Sequence, residues 1–413
     1  MITKLKRFFM WLYPGIGIKR WIGLSAFGVI LLVIGTSGLR SEDLFILEIL
    51  DVIIFVSGII ILILGIKRLM SAFINAVIPS SKQTELVDIL YQRKQLSRGP
   101  KIVALGGGTG LATLLSGIKE YSSNISAIVT VADDGGSSGR LRQQFDILPP
   151  GDIRNCLVAL ADASTMMRDL FQFRFDTGSE LAGHSFGNLF ITVMTRLTGD
   201  FEKAIRETSK VLALRGQVIP STLNNVVLMA QHKDGSTTEG EFNIPLAHKP
   251  INRVSLRPTQ PQAAPEAIKA IEEAELIILG PGSLYTSIIP NLLIKEITDT
   301  IVASKAVKVY VCNVMTQAGE TDGYSAYSHV KGLIEHSHPR VIDYCIVNTG
   351  KIPSGILKRY EEEKAYPVVN DRRNIENMGY RVIEDDIVSL SENMVRHDPL
   401  KLAKIILGFL EEI

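Results

Sequence analysis

Two adjacent aspartates stand directly before a glycine- and serine-rich stretch that ends in arginines, in the segment VADDGGSSGRLR. The carboxylates of Asp133 and Asp134 suit sugar hydroxyls or a divalent cation such as Mg²⁺. Ser137, Ser138 and Arg140, with the backbone N–H groups between them, suit a phosphate. The segment therefore predicts a ligand that presents hydroxyls and phosphate together. Because a dinucleotide fold places a ribose-binding acid at this point, an NAD-type dinucleotide is the alternative ligand.

Two glycine loops elsewhere in the chain each join an apolar, strand-like run to a helical pattern. A helix that begins after such a loop presents free N–H groups and a positive dipole end to an anion. The first loop, GGGTGL, has Leu111 where a dinucleotide fingerprint needs its third glycine, so a tight turn without a ligand is an alternative interpretation. The residues expected to bind ligand in the two loops are Gly107, Gly108, Thr109, Gly110, Gly280, Gly282, Ser283, Tyr285 and Thr286.

Polar residues also stand at further predicted loop ends. In PPGDIRN, Asp152 is placed to cap a helix, and Arg154 and Asn155 follow in its first turn. In GHSFGN, His184 suits proton transfer near neutral pH, although a single histidine at a helix start more often has a structural role. Further candidates for ligand contacts are Asn188, Asn313 and Thr316. The candidates for catalysis are Asp133, Asp134 and His184, with the same two aspartates as candidates for holding a metal.

A sheet must position these loops, because short apolar runs alternate with helical patterns from Lys101 onward. The runs KIVAL, SAIVTVA, LIILG, VKVYVCN and YCIVN are strand-like and end at Gly, Asp or Asn. This alternation predicts an α/β fold, with a Rossmann-like, mostly parallel sheet and helices on both faces. An Asp-Gly turn at Asp234 and Gly235 predicts a β-hairpin excursion from that sheet.

The N-terminal part has a different pattern, since two long apolar runs precede the α/β region. We expect transmembrane helices over about residues 21–39 and 44–66, forming a membrane hairpin within residues 1–66. A juxtamembrane helix and linker are expected over residues 67–100, and the α/β domain over residues 101–413. Basic residues flank the hairpin at its terminal side, so both termini and the main domain are predicted to face the cytoplasm. A cleaved signal peptide is the alternative interpretation of the first run.

Composition disfavours several classes of protein. The chain has 413 residues, a formal net charge of +1 and three widely separated cysteines. The charge gives no support to nucleic-acid binding, and the cysteine spacing argues against a disulfide framework or a zinc site. Buried reduced thiols are expected at Cys156, Cys312 and Cys345. No local pattern of a serine hydrolase, zinc peptidase or kinase is present.

Taken together, the motifs GGGTGL, TVADDGGSSGRLR, PPGDIRN, GHSFGN, GPGSLYTSIIPNLL and NVMTQAGETD resemble those of the gluconeogenesis-factor (YvcK) family, within the CofD-like, or phospholactate transferase-like, superfamily. The resemblance runs from about Lys101 to the C-terminus and leaves out the membrane hairpin. It implies a Rossmann-like fold, and a cleft for UDP-N-acetylglucosamine that an NAD-type dinucleotide can also occupy. It further implies ligand contacts at Tyr360 and Arg396, whereas Pro399 stands where some relatives carry a phosphorylatable threonine.

Two functions from different classes are compatible with these observations. The first is a membrane-anchored cytoplasmic protein that binds a nucleotide sugar and supports cell shape and peptidoglycan synthesis during gluconeogenic growth. Its expected partners are cell-envelope synthesis proteins, the lipid bilayer and further copies of itself. The second, implied by the transferase branch, is an enzyme that moves a phospholactyl-type group from a nucleoside diphosphate donor with Mg²⁺. A dehydrogenase is disfavoured, because the dinucleotide fingerprint is incomplete and no hydride-transfer site is evident.

Overall fold

A computed structural model describes residues 18–38, 45–77, 93–176, 178, 180–391 and 394–411. The chain separates into two compact units, Met1–Lys94 and Gln95–Ile413. Some sequence-based expectations lie outside the described residues. They concern the basic N-terminal segment, the connection between the two apolar runs, and most of the linker before the α/β region.

The first unit contains two long apolar helices, α1 (Ile18–Gly38) and α2 (Phe45–Val77). Each includes a stretch long and apolar enough to cross a membrane, Lys19–Gly38 in α1 and Ile46–Ala72 in α2. The predicted transmembrane span ends near residue 66, and α2 continues beyond it to Val77, over the start of the predicted juxtamembrane helix. It continues because no glycine or proline follows Gly65 before the end of the helix, and the intervening residues are compatible with a helix.

Helices α1 and α2 approach each other closely along a row of small residues. A Cβ atom added at Gly28 would lie 2.7 Å from the backbone nitrogen of Leu62, and one at Gly35 would lie 2.8 Å from that of Phe55. Only glycine permits this distance between backbones, as is common where apolar helices pair. At one end of the pair, the guanidinium carbon of Arg68 lies 5.5 Å from the centre of the Trp21 ring, a cation–π contact.

The second unit is built on a seven-stranded parallel sheet. Its strands are β1 (Ile102–Gly106), β2 (Ile125–Val129), β3 (Gln217–Pro220), β7 (Leu276–Leu279), β8 (Val307–Val311), β9 (Tyr344–Asn348) and β10 (Arg381–Asp385). They lie in the order β10-β9-β8-β7-β1-β2-β3, and every neighbouring pair is parallel. The central strands consist of apolar residues because both faces of the sheet are covered. The expected α/β fold is confirmed.

Two small antiparallel elements lie outside this sheet. The first contains β4 (Val227–His232), β5 (Thr237–Glu239) and β6 (Ile251–Arg257), and the second is a hairpin of β11 (Val388–Ser391) and β12 (Met394–His397). The turn between β4 and β5 contains Asp234 and Gly235, with Gly235 at a φ of +84°. Glycine adopts this left-handed conformation without strain, so the predicted hairpin excursion forms where the Asp-Gly pair indicated.

Helices cover the sheet, and one of their starts differs from expectation. The helices are α3 (Gly108–Ile118), α4 (Gly136–Phe145), α5 (Gly151–Leu160), α6 (Thr165–Gln172), α7 (Phe186–Thr198), α8 (Phe201–Val211), α9 (Asn243–Leu246), α10 (Pro265–Glu272), α11 (Ile289–Leu292), α12 (Lys295–Ala303), α13 (Ala326–Glu335), α14 (Ser354–Glu362), α15 (Arg372–Asn377) and α16 (Pro399–Glu411). The prediction that Asp152 is an N-cap is wrong, because α5 already begins at Gly151 after Pro150. A π-helical turn over Leu284–Ile288 precedes α11.

Candidate functional site

A polar cleft of about 600 Å³ lies at the carboxyl ends of the central strands. Strand β1 is followed in the chain by β2 on one side of it, whereas β7 is followed by β8 on the other side. The chain therefore proceeds from β1 toward one edge of the sheet and from β7 toward the other edge. The loops that follow these two strands diverge and leave a crevice between them. Open α/β sheets bind their ligands in the crevice at such a reversal.

The two predicted glycine loops meet along this cleft. A Cβ atom at Gly110 would lie 2.5 Å from the carbonyl oxygen of Pro281, so the loop after β1 touches the loop after β7. Gly108 has a φ of +63°, which also favours glycine. Gly107, Gly108, Thr109, Gly110, Gly282 and Ser283 all line the cleft, whereas Gly280 precedes it at the end of β7. The loops thus expose backbone where a ligand can approach closely.

Amide and hydroxyl groups form the part of the cleft nearest the second loop. The side-chain amide of Gln317 donates a hydrogen bond of 2.7 Å to the Ser283 hydroxyl. The backbone N–H of Gly282 lies 3.4 Å from the amide oxygen of Asn313. Thr316 lines the same wall, and its hydroxyl accepts a hydrogen bond of 2.9 Å from the backbone N–H of Tyr366. These uncharged groups can hold phosphate oxygens or sugar hydroxyls.

Four carboxylates line the cleft, and three of them, Asp133, Asp152 and Glu241, act on one another through their charges and form an acidic wall, whereas the fourth is Glu363. Burial, and next the charge of Asp133, raise the pKa of Asp152 to about 7. Burial, and next the charges of Asp133 and Asp152, raise the pKa of Glu241 to about 8. Burial likewise raises the pKa of Asp133, against hydrogen bonds from Gly135 and Ser138. Near neutral pH this wall therefore holds protons that it can share with ligand hydroxyls.

The same carboxylates are the candidates for holding the Mg²⁺ ion that the resemblance to the superfamily implies. Among the described residues, no three His, Cys, Asp or Glu side chains are grouped closely enough to hold a metal ion. Mg²⁺ commonly needs only one or two carboxylates, however, when substrate phosphates and water complete its coordination. Asp133 and Asp152, which both line the cleft and lie close enough for the charge of Asp133 to act on Asp152, are the pair that fits such an ion.

Asp134 faces away from this cleft. Its carboxylate accepts a hydrogen bond of 2.9 Å from the backbone N–H of Phe242. It lies in a separate hollow with Arg142 and Glu239, beside the β4–β6 excursion. The adjacent aspartates thus have different roles. Asp133 borders the ligand cleft, whereas Asp134 binds the backbone of the segment that carries Glu241.

An aromatic and cationic wall borders the cleft on the side of the β11–β12 hairpin. Tyr360 and Arg396 both line the cleft. The Tyr360 hydroxyl accepts a hydrogen bond of 2.9 Å from the backbone N–H of Val395. Tyr360 packs with Val314 and Met315 in a small apolar cluster apart from the main core. This wall offers a ring for stacking on a base and a guanidinium for a diphosphate.

Several predicted residues lie together behind the cleft instead of lining it. The Ser137 hydroxyl lies 2.9 Å from Nδ1 of His184 and accepts a hydrogen bond of 3.0 Å from the Asn188 amide. Arg154 donates to the hydroxyl of Ser185 and to the amide oxygens of Asn188 and Asn155. Burial, and next the charge of Arg140, lower the pKa of His184. The neutral imidazole can therefore accept the Ser137 proton at Nδ1, which makes this network an internal brace.

The remaining predicted residues also make protein contacts. Arg140 donates to the carbonyl of Ala182 at 2.8 Å. Tyr285 pairs its hydroxyl with that of Tyr324 at 2.8 Å. Thr286 donates to the buried carboxylate of Glu320 at 2.9 Å, whose pKa burial raises to about 7. Glu241 also lines the cleft but was not predicted, because nothing in its sequence context separates it from ordinary loop polarity.

The sequence matches the family described as 2-phospho-L-lactate transferase CofD over residues 102–388. A gluconeogenesis factor of Bacillus subtilis is 50% identical over 317 residues, which cover 77% of this chain and 100% of that protein. A protein of Nostoc sp., also named as a gluconeogenesis factor, is 46% identical over 424 residues, covering 98% of this chain and 93% of its own length. The Nostoc match thus extends over the N-terminal helices.

Solved structures share the α/β unit. A crystal structure of a Bacillus halodurans protein is 46% identical and superposes with a TM-score of 0.74, covering 75% of this chain and 100% of that chain. A second crystal structure, of a UPF0052 family member from the same organism, is also 46% identical, with a TM-score of 0.72 and coverage of 74% and 99%.

Proposed function

The chain belongs to the CofD family and groups with its gluconeogenesis factors, and we propose that its cleft binds a nucleotide sugar of the UDP-N-acetylglucosamine type. The observation that carries this proposal is the division of one cleft into three chemically different walls. Tyr360 and Arg396 suit the base and the diphosphate, the amide and hydroxyl groups around Ser283 suit phosphate oxygens, and Asp133 with Glu241 suits sugar hydroxyls.

The volume of the cleft supports a ligand of this size. Its volume of about 600 Å³ lies within the usual range for sites that hold a nucleotide-sized molecule. A lone phosphate would leave the aromatic wall without a partner, and a nucleoside alone would leave the acidic wall without one. A nucleoside diphosphate joined to a sugar contacts all three walls at once.

We further propose that α1 and α2 anchor the protein in the cell membrane, with both termini and the α/β unit in the cytoplasm. Lys19 and Arg20 lie at the start of α1, and Lys67 and Arg68 lie in the last third of α2. The contact between Arg68 and Trp21 places these basic residues at one end of the helix pair. Lys and Arg are in excess on the cytoplasmic side of membrane proteins, whereas Trp and Tyr are enriched at both interfaces. In this setting, ligand binding would serve cell shape and envelope synthesis during gluconeogenic growth.

A transferase acting on a nucleoside diphosphate donor is the second candidate function. The observation that favours it is the position of Asp133 and Asp152, two carboxylates that line the same cleft and could share a Mg²⁺ ion with ligand phosphates. When bound, such an ion would stabilise negative charge on the phosphate oxygens. Asp133 and Asp152 would hold it, and the loop at Gly282 and Ser283 would orient the diphosphate.

Thermal melting of the full chain in detergent, with a panel of ligands, tests the proposal. UDP-N-acetylglucosamine should raise the melting temperature more than UDP or NAD⁺ at equal concentration, since a ligand that binds only the folded state stabilises it. A shift by NAD⁺ alone would overturn the proposal in favour of a dinucleotide. Each ligand is tested with Mg²⁺ and with EDTA. A shift lost in EDTA, together with release of a nucleoside phosphate product, would favour the transferase.

A further inference from the structure

The segment that follows β5, residues 240–246, joins loops from the two sides of the β1–β7 crevice. Near its start, the backbone N–H of Phe242 donates a hydrogen bond of 2.9 Å to the carboxylate of Asp134, in the loop after β2. Near its end, a Cβ atom at Gly319, in the loop after β8, would overlap the Pro245 carbonyl. In the sheet, β2 lies beyond β1 and β8 lies beyond β7. The segment therefore crosses the carboxyl edge of the sheet at the cleft.

The backbone on both sides of Glu241 is fixed by the protein. Gly240 has a φ of +97°, and a Cβ atom at this position would overlap the Asp134 carboxylate. The side-chain amide of Asn243 donates a hydrogen bond of 3.0 Å to the carbonyl of Glu239. The position of the Glu241 side chain is thus set by contacts outside the cleft.

The Glu241 carboxyl group lines the cleft without a protein donor. The other two acids of the acidic wall each accept a backbone hydrogen bond, Asp133 from Gly135 at 2.9 Å and Asp152 from Gly108. Among the described residues, none donates to the Glu241 carboxyl group. Burial, and next the charges of Asp133 and Asp152, raise its pKa to about 8. A buried polar group needs partners, so those of Glu241 must come from water or a ligand.

We propose that Glu241 is the residue with which the cleft distinguishes a nucleotide sugar from the free nucleoside diphosphate, through hydrogen bonds to hydroxyls of the sugar. This inference rests on the proposed function and adds to it the residue that sets the specificity. A protonated carboxyl group offers one donor together with acceptor positions, and sugar hydroxyls both donate and accept. A ligand without the sugar leaves these groups unpaired, which is an effective basis for discrimination.

The acidic wall also disfavours a ligand that ends in a phosphate. A free nucleoside diphosphate carries additional negative charge on its terminal phosphate, where a nucleotide sugar continues into an uncharged ring. In the cleft that charge would lie beside Asp133, Asp152 and Glu241. Like charges at short distance repel each other, and such repulsion contributes to specificity. Glu241 therefore favours the sugar and opposes the terminal phosphate.

Asp134 is a positioning residue for Glu241, because it binds the segment beside Glu241 and lines a separate hollow. Asp134→Ala removes the acceptor of the Phe242 N–H and should allow the segment to move. Asp134→Asn keeps an oxygen that can accept this hydrogen bond, so it should preserve the position of Glu241. A difference between these two variants separates positioning from a requirement for the negative charge of Asp134.

Calorimetric titration of the full chain in detergent with UDP-N-acetylglucosamine and with UDP, both in EDTA, tests the proposal. The readout is the Kd for UDP divided by the Kd for the nucleotide sugar, measured at about pH 6, where Glu241 keeps its proton. Glu241→Ala and Asp134→Ala should each lower this ratio at least tenfold. Glu241→Gln, a neutral side chain with a donor and an acceptor, and Asp134→Asn should keep most of it. Glu272→Gln, at an exposed glutamate on α10, should change neither constant.

The outcomes separate this inference from the proposed function. A wild type that binds neither ligand would refute the nucleotide-sugar cleft itself. A wild type that prefers the nucleotide sugar, together with an unchanged ratio in Glu241→Ala, would preserve the cleft and overturn the role of Glu241. Equal affinity of the wild type for both ligands would overturn that role as well. Because the ratio compares two ligands on the same variant, a partial loss of folded protein does not alter it.

Discussion

Asp152 lies against Gly107 so closely that a Cβ atom at Gly107 would be 2.6 Å from its Oδ2 atom. This contact joins the start of α5 to the glycine loop after β1, and it brings a buried carboxylate to the edge of the cleft. Because Asp152 lies beside a loop that is suited to anions, we expect protonation of Asp152 and ligand binding to be coupled. At this loop, therefore, the ligand is expected to contact the backbone, and Asp152 gains or loses its proton beside it.

Replacing Asp152 by Asn should flatten the pH dependence of stability. The pKa of Asp152 is raised from 3.8 to about 7, so the folded chain keeps a proton that the unfolded chain releases above pH 4. The contribution of this group to the free energy of unfolding is therefore full below pH 4. It falls by on the order of 4 kcal/mol as the pH rises to 7, and then stays level.

Urea unfolding from pH 4 to pH 8 measures this contribution. Asp152→Asn cannot ionise at this position, so its slope should be smaller than that of the wild type by this contribution, and it should be more stable than the wild type at pH 8. The slope that remains comes from Glu241 and Glu320, whose pKa values are also raised. Asp146→Asn, at an exposed aspartate after α4, should keep the slope of the wild type. Identical pH profiles for the wild type and Asp152→Asn would contradict the assignment.

Gly110→Ala should separate the two glycine loops and weaken ligand binding. The added methyl group would meet the Pro281 carbonyl oxygen at 2.5 Å, and since that atom belongs to the backbone, the loop after β7 must shift. We expect a loss of about 1–3 kcal/mol of stability and a loss of affinity for UDP-N-acetylglucosamine. Gly355→Ala is the control, because no atom lies within 4 Å of its added Cβ. Equal affinity in both variants would contradict the described contact.

Substitutions at Tyr360 should separate its hydroxyl from its ring. Tyr360→Phe removes only the hydrogen bond from the Val395 N–H, so it should lower stability by about 1 kcal/mol and leave affinity close to that of the wild type. Tyr360→Ala also removes the ring that stacks on the base, which should weaken binding about tenfold or more. If Tyr360→Ala bound as tightly as Tyr360→Phe, the ring would not contact the base.

Gly28→Leu should force α1 and α2 apart. Its Cβ would approach the Leu62 nitrogen to 2.7 Å, and a leucine cannot fit between two backbones at this distance. Hydrogen exchange of the two helices in nanodiscs should become faster as their packing loosens. Gly23→Leu is the matched control, since nothing lies within 4 Å of a Cβ at Gly23. Equal exchange in the two variants would argue against the described helix pair.

Most of the parallel sheet could be predicted, because its central strands are short apolar runs ended by glycine or polar residues. Strands β3 and β10 were not predicted. The sequence QVIP of β3 ends in proline, and RVIED of β10 is partly polar. These are the two edge strands of the sheet. Strand β3 has only four residues, and β10 has polar residues at three of its five positions, so neither provides the apolar run on which such predictions depend.

The arrangement of the site was harder to predict, because it depends on which way side chains point. Asp133 and Asp134 are adjacent in the sequence, yet one borders the cleft and the other binds the Phe242 N–H. Glu241 reaches the acidic wall because it lies in the β4–β6 excursion, and the sequence does not indicate where that excursion packs against the sheet. The motifs identify these loops in the sequence. Only the packed structure shows which of their residues line the cleft and which belong to the hydrogen-bond network behind it.

Isothermal titration calorimetry of the full chain with UDP-N-acetylglucosamine measures directly whether the cleft binds a nucleotide sugar. We predict saturable binding with one ligand per chain, and at least a tenfold loss of affinity in Arg396→Ala, because a hydrogen bond to a charged group is worth about 1.5–3 kcal/mol. Arg206→Ala, at an exposed arginine on α8, should bind as the wild type does. No heat at millimolar ligand, or equal affinity in the wild type and Arg396→Ala, would contradict the account.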